Sequence, residues 1–400
     1  MAAPTVQNLT QFDAVLKEFY GPGIVEELNE QVPFLKLIEK DAGLVKFDGR
    51  RWLVPIHVGR NGGIGARAEG ATLPTPGAQT YVDYTIRPSY QYGGIKVTGQ
   101  VIEQSRTDKG AFGRAVQLEM EALRNQLRSD LNFQFQRDGN GVRGTVGSVS
   151  TNTITLSTAV PYDLLFENMK VDILSSNFAT NRGSANINSV TLDPKTWTVS
   201  AITLDAAPSG TTGTDVIVRS GNYGNEITGL DAVVGTSTYG GINPSSYAVW
   251  QSPVLDNSGT KRPINYSLFQ NAVDVAGIAG GGQLKYFFTN HAIRRNFFLY
   301  MTSEKRIVNS KSYDGGFDSI EYDGKEIFVD RMSKANTMYG VDPQYLYRLE
   351  TRELHWIDDD GTILHRSFDN TDTYFANMRY YVQLACTKRN AQIKISDIQE

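Results

Sequence analysis

The chain has 400 residues, 40% of them hydrophobic and 20% charged, with a formal charge of -4 from 39 basic and 43 acidic side chains. That length and apolar content can bury a substantial core in two or three packed units, whereas the charge balance lacks the positive excess of a counterion-releasing reader of DNA sequence. The single cysteine, Cys386, excludes an intramolecular disulfide, the first 25 residues carry Asp13, Lys17 and Glu18 where a signal core would be apolar, and no apolar run approaches the roughly 20 residues needed to cross a bilayer, so the expectation is a protein made and kept in the cytoplasm and outside membranes.

Residues 1–43 hold one short amphipathic pattern, Phe12, Val15, Leu16 and Phe19, which stops at Gly21-Pro22-Gly23, and then Val32, Phe34, Leu35, Leu37 and Ile38. These are too few apolar residues for a core, so the segment reads as an arm that docks on something. Arg51 to Val58 reads as a strand that feeds Gly59-Arg60-Asn61-Gly62-Gly63-Ile64-Gly65, where the glycines favour a mobile loop tip. The return limb, Tyr81 to Pro88, alternates apolar and polar residues and is expected to continue through Ile95 to Val101. Taken as a hairpin from Val58 to Gly94, each limb of roughly 18 residues would span about 60 Å at about 3.3 Å per residue. A 400-residue globule has a radius of gyration of only about 21 Å, so such a hairpin must project.

From Thr107 to Asp138 the apolar residues Phe112, Val116, Met120, Leu123, Leu127, Leu131 and Phe135 recur every three or four positions, opposite Arg114, Glu121, Arg124 and Arg128. The spacing predicts a long surface helix with one buried stripe, capped by Thr107 or Asp108 and ended by a left-handed Gly139. Between Gly141 and Gly221, short β-branched runs such as Thr153–Leu156, Lys170–Ile173, Trp197–Val199 and Asp215–Val218 predict a small barrel or sandwich inserted into a host domain. A helix over Asn265 to Gly277 follows, with Leu268, Ala272 and Val275 inward, then a strand Leu284 to Phe288 and a helix His291 to Met301. Hairpins are expected at Asp323-Gly324 and at Asp360-Gly361, within Leu354 to His365, and the segment Tyr380 to Ile395 is strand-rich. The later half therefore reads as α+β without regular βαβ alternation.

Candidate chemistry is sparse. The chain has no Gly-x-x-x-x-Gly-Lys-Ser/Thr phosphate loop and no Gly-x-Ser-x-Gly elbow. His57, His291, His355 and His365 lack metal-ligand spacing, although His355 and His365 are placed face to face by the second hairpin. Asp358-Asp359-Asp360 lacks the interleaved ligands of a calcium loop and reads as a solvated turn. Cys386, in an apolar strand, reads as a buried inert thiol, and Tyr286, Phe287, Phe288, Phe297, Phe298 and Tyr300 as core packing. Lys305-Arg306 and Lys388-Arg389 read as solvated basic pairs. No cofactor and no metal is expected.

The order of an arm, the Ala68–Pro74 loop, the Lys96–Ser105 strand and the long helix resembles tailed-phage major capsid proteins of the Hong Kong 97-like fold. Gly229–Val233, the helix from Asn265, the run Phe287–His291 through Met301, Gly324–Val329 and Phe375–Arg379 through Ile398 fit the same pattern, so the resemblance covers roughly residues 1 to 140 and 222 to 400. It implies an α+β capsid fold with an N-terminal arm (1–43), an extended loop and flanking strands (44–106), a spine helix (107–140) of a peripheral domain that continues over 222–283, an axial domain (284–370) and C-terminal peripheral strands (371–400), around an inserted all-β domain (141–221). Some relatives weld their shells through lysines of the extended loop. No lysine lies between Val58 and Ile95, so that route is not expected. Some carry a long N-terminal scaffolding segment, whereas this chain reaches its arm almost at once. Either a separate scaffold exists or the insertion assists assembly.

The function implied is the self-assembling subunit of an icosahedral tailed-phage head, in pentamers and hexamers, enclosing double-stranded DNA without reading it. A scaffolding protein, a portal and a decoration protein are its implied partners, the virion its location and the host cytoplasm its place of assembly. Contact with neighbouring copies is assigned to Arg60, Gly62, Gly63, Ile64, Gly65, Arg67, Glu69, Leu73, Tyr81 and Tyr84 of the extended loop. Two other readings remain at this level: a cellular encapsulating shell that holds cargo enzymes, and a carbohydrate-binding or hydrolytic enzyme that uses the 141–221 domain.

Overall fold

The computed structural model describes residues 34, 37–40, 46–100, 109–303, 310–312, 318–358, 361–367 and 371–400. The amphipathic pattern from Phe12 to Phe19, its glycine stop, Val32, Leu35, the helix caps at Thr107 or Asp108, the Val101–Ser105 run, Lys305-Arg306, and Asp359 with Asp360 lie outside these residues.

The long strand Thr373–Cys386 organises one sheet, burying Ala376, Met378, Tyr380, Val382 and Leu384 on its inner face, the period-2 signature of a half-covered strand. Ser89–Thr98 pairs antiparallel with it from Ser89 opposite Val382 to Thr98 opposite Thr373. Leu346–Trp356 and then His365–Arg366 run along its other edge: Met378 pairs with both Gly93 and Trp356, and Phe375 with both Lys96 and His365. This corrects the hairpin expected at Asp360-Gly361. Both flanks run in one direction along the same partner, which satisfies their backbone groups, and residues 358 and 361–364 between them carry no strand. His355 and His365 consequently face Arg379 and Phe375 and not each other.

The long helix spans Lys109–Gln136. Met120, Leu127, Leu131 and Phe135 form its buried stripe, and Leu123 packs on the sheet where a Cβ on Gly93 would stand 3.2 Å from the leucine. The final turns depart from the expected surface helix, because Leu131, Asn132, Phe133, Gln134, Phe135 and Gln136 are all buried. The helix end is packed on all sides, and Gln134 is matched to this setting. The Gln134 amide donates to Gln91 at 3.0 Å and to Asp130 at 2.8 Å, and its oxygen accepts from the Ile227 amide at 3.0 Å. Gly139, at φ +87°, then turns the chain away.

The strands Val142–Ser150, Thr153–Pro161, Lys170–Leu174, Asn181–Asp193, Thr198–Leu204 and Val216–Arg219 close into a six-stranded barrel. It fills its own interior with Ile154, Val171, Ile173, Ile187, Val199, Ile202 and Ile217. Closure leaves no unpaired edge inside this unit. Trp197, expected in a strand, instead occupies the preceding turn at φ +56° and is exposed.

A seven-stranded sheet takes the order Val254–Leu255, Ile393–Ile395, Met338–Val341, Tyr286–Thr289, Lys325–Val329, Asp318–Tyr322 and Ser310–Ser312. Alternation along these strands serves two cores at once. Phe287, Ile327 and Met338 pack under the helices Tyr266–Gly280 and His291–Ser303, whereas Phe288, Phe328 and Tyr339 join the core that holds the long helix and Phe34. Asn265 caps the first of these helices by accepting from the Leu268 amide, and Gly281 ends it at φ +62°. Asp323 and Gly324, at φ +50° and +72°, form the two-residue turn between Asp318–Tyr322 and Lys325–Val329.

Packing therefore divides the chain differently from the expected boundaries. The helix Tyr266–Gly280, placed in 222–283, covers the seven-stranded sheet; Leu346–Trp356, placed in 284–370, belongs to the other sheet; and Ile393–Ile395, placed in 371–400, returns to the seven-stranded one. Sequence order hides these exchanges, because one strand per layer is contributed from far along the chain.

Candidate assembly surface

The hairpin expected to project is built from Trp52–Gly59 and Thr80–Ile86, paired from Trp52 opposite Ile86 to Gly59 opposite Thr80. Its root is buried. Trp52, Ile56, Tyr84 and Ile86 enter the main core, and the Tyr84 ring meets Tyr239 at 5.4 Å and Trp250 at 5.2 Å. The Tyr84 hydroxyl accepts from the Cys386 amide at 3.4 Å. Gly240 closes over the same ring, since a Cβ there would lie 1.9 Å from it, and its φ of +59° suits glycine. The Gly240 carbonyl accepts from the Thr85 amide at 2.9 Å. Burial pushes the Cys386 thiol up to about 12, so it is an inert core group.

Behind this root stands Arg389, which is fully buried. Its guanidinium donates to the carbonyls of Val233 (2.8 Å), Ser237 (2.9 Å), Trp250 (2.9 Å), Ala232 (3.0 Å) and Gly235 (2.8 Å), and lies 5.2 Å from the Tyr239 ring centre. The reading of Lys388-Arg389 as a solvated pair is thus corrected for the arginine. Five carbonyl dipoles take the role that a carboxylate would normally play, holding residues 232–237 just ahead of Tyr239 and Gly240, which touch the root. Nearby, Asp231 receives Lys334 at 2.6 Å, Lys394, and the Tyr339 hydroxyl at 2.8 Å. Although burial alone would raise it, the two ammonium groups bring its carboxyl down to about 2.

The tip is the opposite kind of structure. Residues 60–79 carry no strand and are exposed or half-exposed throughout. The limbs touch once more, where a Cβ on Gly63 would stand 2.7 Å from the Thr75 oxygen and one on Gly77 would stand 2.4 Å from Asn61. Beyond that clasp the chain makes a turn in which the Ala71 amide donates to the Ala68 oxygen at 3.1 Å and Gly70 sits at φ +76°. Arg67 stiffens it by donating to the carbonyls of Thr72 (3.0 Å) and Ala66 (2.9 Å). Ile64 is 86% exposed, Leu73 79% and Tyr81 62%.

Of the ten residues assigned to inter-copy contact, nine thus occupy the exposed hairpin: Arg60, Gly62, Gly63, Ile64, Gly65, Arg67, Glu69, Leu73 and Tyr81. Tyr84 is the correction, being fully buried in its own chain because the inward register of its strand points it at Trp250. The projection is also shorter than expected. The return limb leaves its partner at Ile86, and from Ser89 onward the backbone pairs with Thr373–Cys386, so residues 89–94 belong to the body. Pro88, which lacks an amide donor, falls at the change of partner. Two exposed residues escaped the sequence reading, Tyr90 (54%) and Tyr92 (59%), which flank buried Gln91. The Tyr-Gln-Tyr alternation was their only signal.

Among the described residues, no three His, Cys, Asp or Glu side chains group as a metal site, and no helix is long and apolar enough to cross a membrane. No protein-family model matches the sequence, and no curated protein is detectably similar to it. The solved capsid chain of cyanophage A-1(L) superimposes over 92% of this chain and 93% of its own, at a TM-score of 0.57 and 14% identity. The chain has the fold of a phage capsid subunit. Lower-scoring likenesses to this capsid fold include the native GTA particle capsid (TM-score 0.47, 11% identity, 91% of this chain and 90% of that one) and the SrpI encapsulin of Synechococcus elongatus PCC 7942 (0.44, 9%, 100% and 92%).

Proposed function

We propose that this protein is the major subunit of an icosahedral tailed-phage head of the Hong Kong 97-like fold, structural and not enzymatic, enclosing double-stranded DNA. The observation that supports it most is the pairing of a deeply anchored root with an exposed tip. Ile64, Leu73 and Tyr81 leave apolar surface in water that a neighbouring copy would cover, and stable contacts bury about 800 Å² per partner. Exposed ion pairs from Arg60, Arg67 and Glu69 would add little each, typically under about 1 kcal/mol. Repetition around pentamers and hexamers supplies the strength. A scaffolding protein, a portal and a decoration protein complete the assembly, which is built in the host cytoplasm and ends in the virion. The barrel is a domain inserted into the host fold, a reading supported by its first and last strands, whose Arg143 pairs with Asp130 and Glu226 and whose Arg219 pairs with the same Asp130.

Electron microscopy of the full chain expressed with its scaffold, followed by nuclease and protein analysis of purified particles, tests this reading. Closed shells able to hold double-stranded DNA are expected. A solitary soluble monomer, or a shell that packs only cargo protein, would contradict it. Replacing Gly62, Gly63 and Gly65 with valine should abolish shells while the subunit still folds, because Gly63 has no room for a side chain at the limb clasp.

A further inference from the structure

Between the hairpin root, the strand Ser89–Thr98 and the foot of the barrel lies a cleft of about 1040 Å³. Pockets for drug-sized ligands run from roughly 300 to 1,000 Å³, so this one is large enough for a length of chain. Its charged walls are Arg50, Arg87, Arg219, Asp130 and Glu226. Both carboxylates are already engaged: Arg143 holds Asp130 at 2.8 Å and Glu226 at 2.6 Å, and Arg219 reaches Asp130 at 3.3 Å. Among the described residues Arg50 and Arg87 have no carboxylate partner, and both are exposed. Tyr90 and Tyr92 stand at the same cleft, their rings set against Tyr381 at 4.9 and 6.1 Å. Among the described residues, the cleft thus offers in Arg50 and Arg87 two cations without a carboxylate partner, beside exposed aromatic faces.

The sequence contains a segment of complementary character. Residues 1–33 carry five carboxylates, Asp13, Glu18, Glu26, Glu27 and Glu30, against one lysine, Lys17, and interleave them with Phe12, Phe19 and Tyr20. Phe34, where the described chain begins, is buried against Phe135 at 6.1 Å and Phe288 at 5.1 Å. The segment therefore joins the body beside the end of the long helix, whose Leu127 and Asp130 line the cleft. We infer that this cleft is the docking site of the acidic segment 1–33, with Arg50 and Arg87 receiving its carboxylates and Tyr90 and Tyr92 its aromatic side chains. The inference goes beyond the shell reading and stands without it, since docking is a property of the unassembled chain as well.

Limited digestion of the full chain with a glutamate-specific protease, followed by mass spectrometry, reads the segment at Glu18 and Glu30. Two exposed pairs at up to about 1 kcal/mol each correspond to at most about thirtyfold in protection. Arg50→Glu with Arg87→Glu should speed cleavage at both sites by up to that factor, and adding Glu26→Lys with Glu27→Lys should restore protection. High salt on the unmodified chain, which shortens screening to about 3 Å at 1 M, should mimic the charge reversal with the melting temperature unchanged, covering the case in which the variant does not fold. A bismaleimide bridge between Arg87→Cys and Glu27→Cys should form, as a monomer band if the segment docks on its own chain and as a dimer band if it docks on a neighbour. Cleavage that is equally fast in all forms, protection indifferent to salt, or a charge exchange that fails to restore it would overturn the proposal.

Discussion

The root and the tip of one hairpin make the most instructive comparison in this molecule. At the root, Tyr84, Gly240 and Arg389 are so closely matched that a Cβ on the glycine would overlap the tyrosine ring, and five carbonyls converge on one guanidinium. At the tip, Ile64 and Leu73 touch water over most of their surface. The tip, residues 60–79, is the loop that joins the two strands of the root, and it carries glycines and isolated branched residues but no aromatic ring. What differs is whether the subunit itself completes the contact, so damage at the root should appear as unfolding and damage at the tip as failed assembly.

The sharpest break of that comparison is Arg389→Met, which removes the shared donor of five carbonyls in a dry site and leaves only Gly235 with another, the Ser252 amide at 3.0 Å. At about 1–3 kcal/mol for each of the four unsatisfied groups, the loss should exceed about 4 kcal/mol, and the protein should be recovered as insoluble aggregate. Recovery of a soluble chain with an ordinary melt would mean the arginine is not the anchor described. Tyr84→Ala comes next, at about 3–5 kcal/mol for emptying a large aromatic site, read from the chemical denaturation midpoint.

Asp231→Asn tests the electrostatic part of the anchor. The folded carboxyl, near 2 against an ordinary 3.8, is depressed, so its contribution is present above about pH 4 and lost as pH falls toward 2. Since one unit corresponds to about 1.4 kcal/mol, the wild type should lose about 2 kcal/mol across that window, whereas the variant should start lower and lose less. Parallel pH profiles for the two proteins would contradict the assignment. At the small end, Ile64→Ser with Leu73→Ser should change subunit stability by no more than about 0.5 kcal/mol, yet shell yield should collapse. An equal loss of both quantities would erase the distinction between root and tip.

Where local periodicity decides the outcome, the sequence was readable. The helix stripe of Met120, Leu127, Leu131 and Phe135, the helix that begins after Asn265, the left-handed Gly139 and the Asp323-Gly324 turn are each set by residues close to one another in the chain. Long-range choices were not readable in this way. Nothing near Leu354 or His365 reveals that Thr373–Cys386 offers both a single continuous partner, and nothing near Lys388 shows that its neighbour points inward at loop 232–237. The exposed loop was legible because glycine and isolated apolar residues cannot build a core. Its true length was not, because Tyr81–Ile86 and Ser89–Thr98 share one alternation across the Pro88 break and differ only in the strands they join.

Hydrogen exchange of residues 60–79, compared between assembled particles and dissociated subunits of the same protein, asks directly whether other copies complete this loop. Strong slowing in particles with little change at Thr80–Ile86, already protected in the free subunit, is the expected pattern. Exchange at 60–79 that is equally fast in both states would show that the exposed tip has no partner in the assembly.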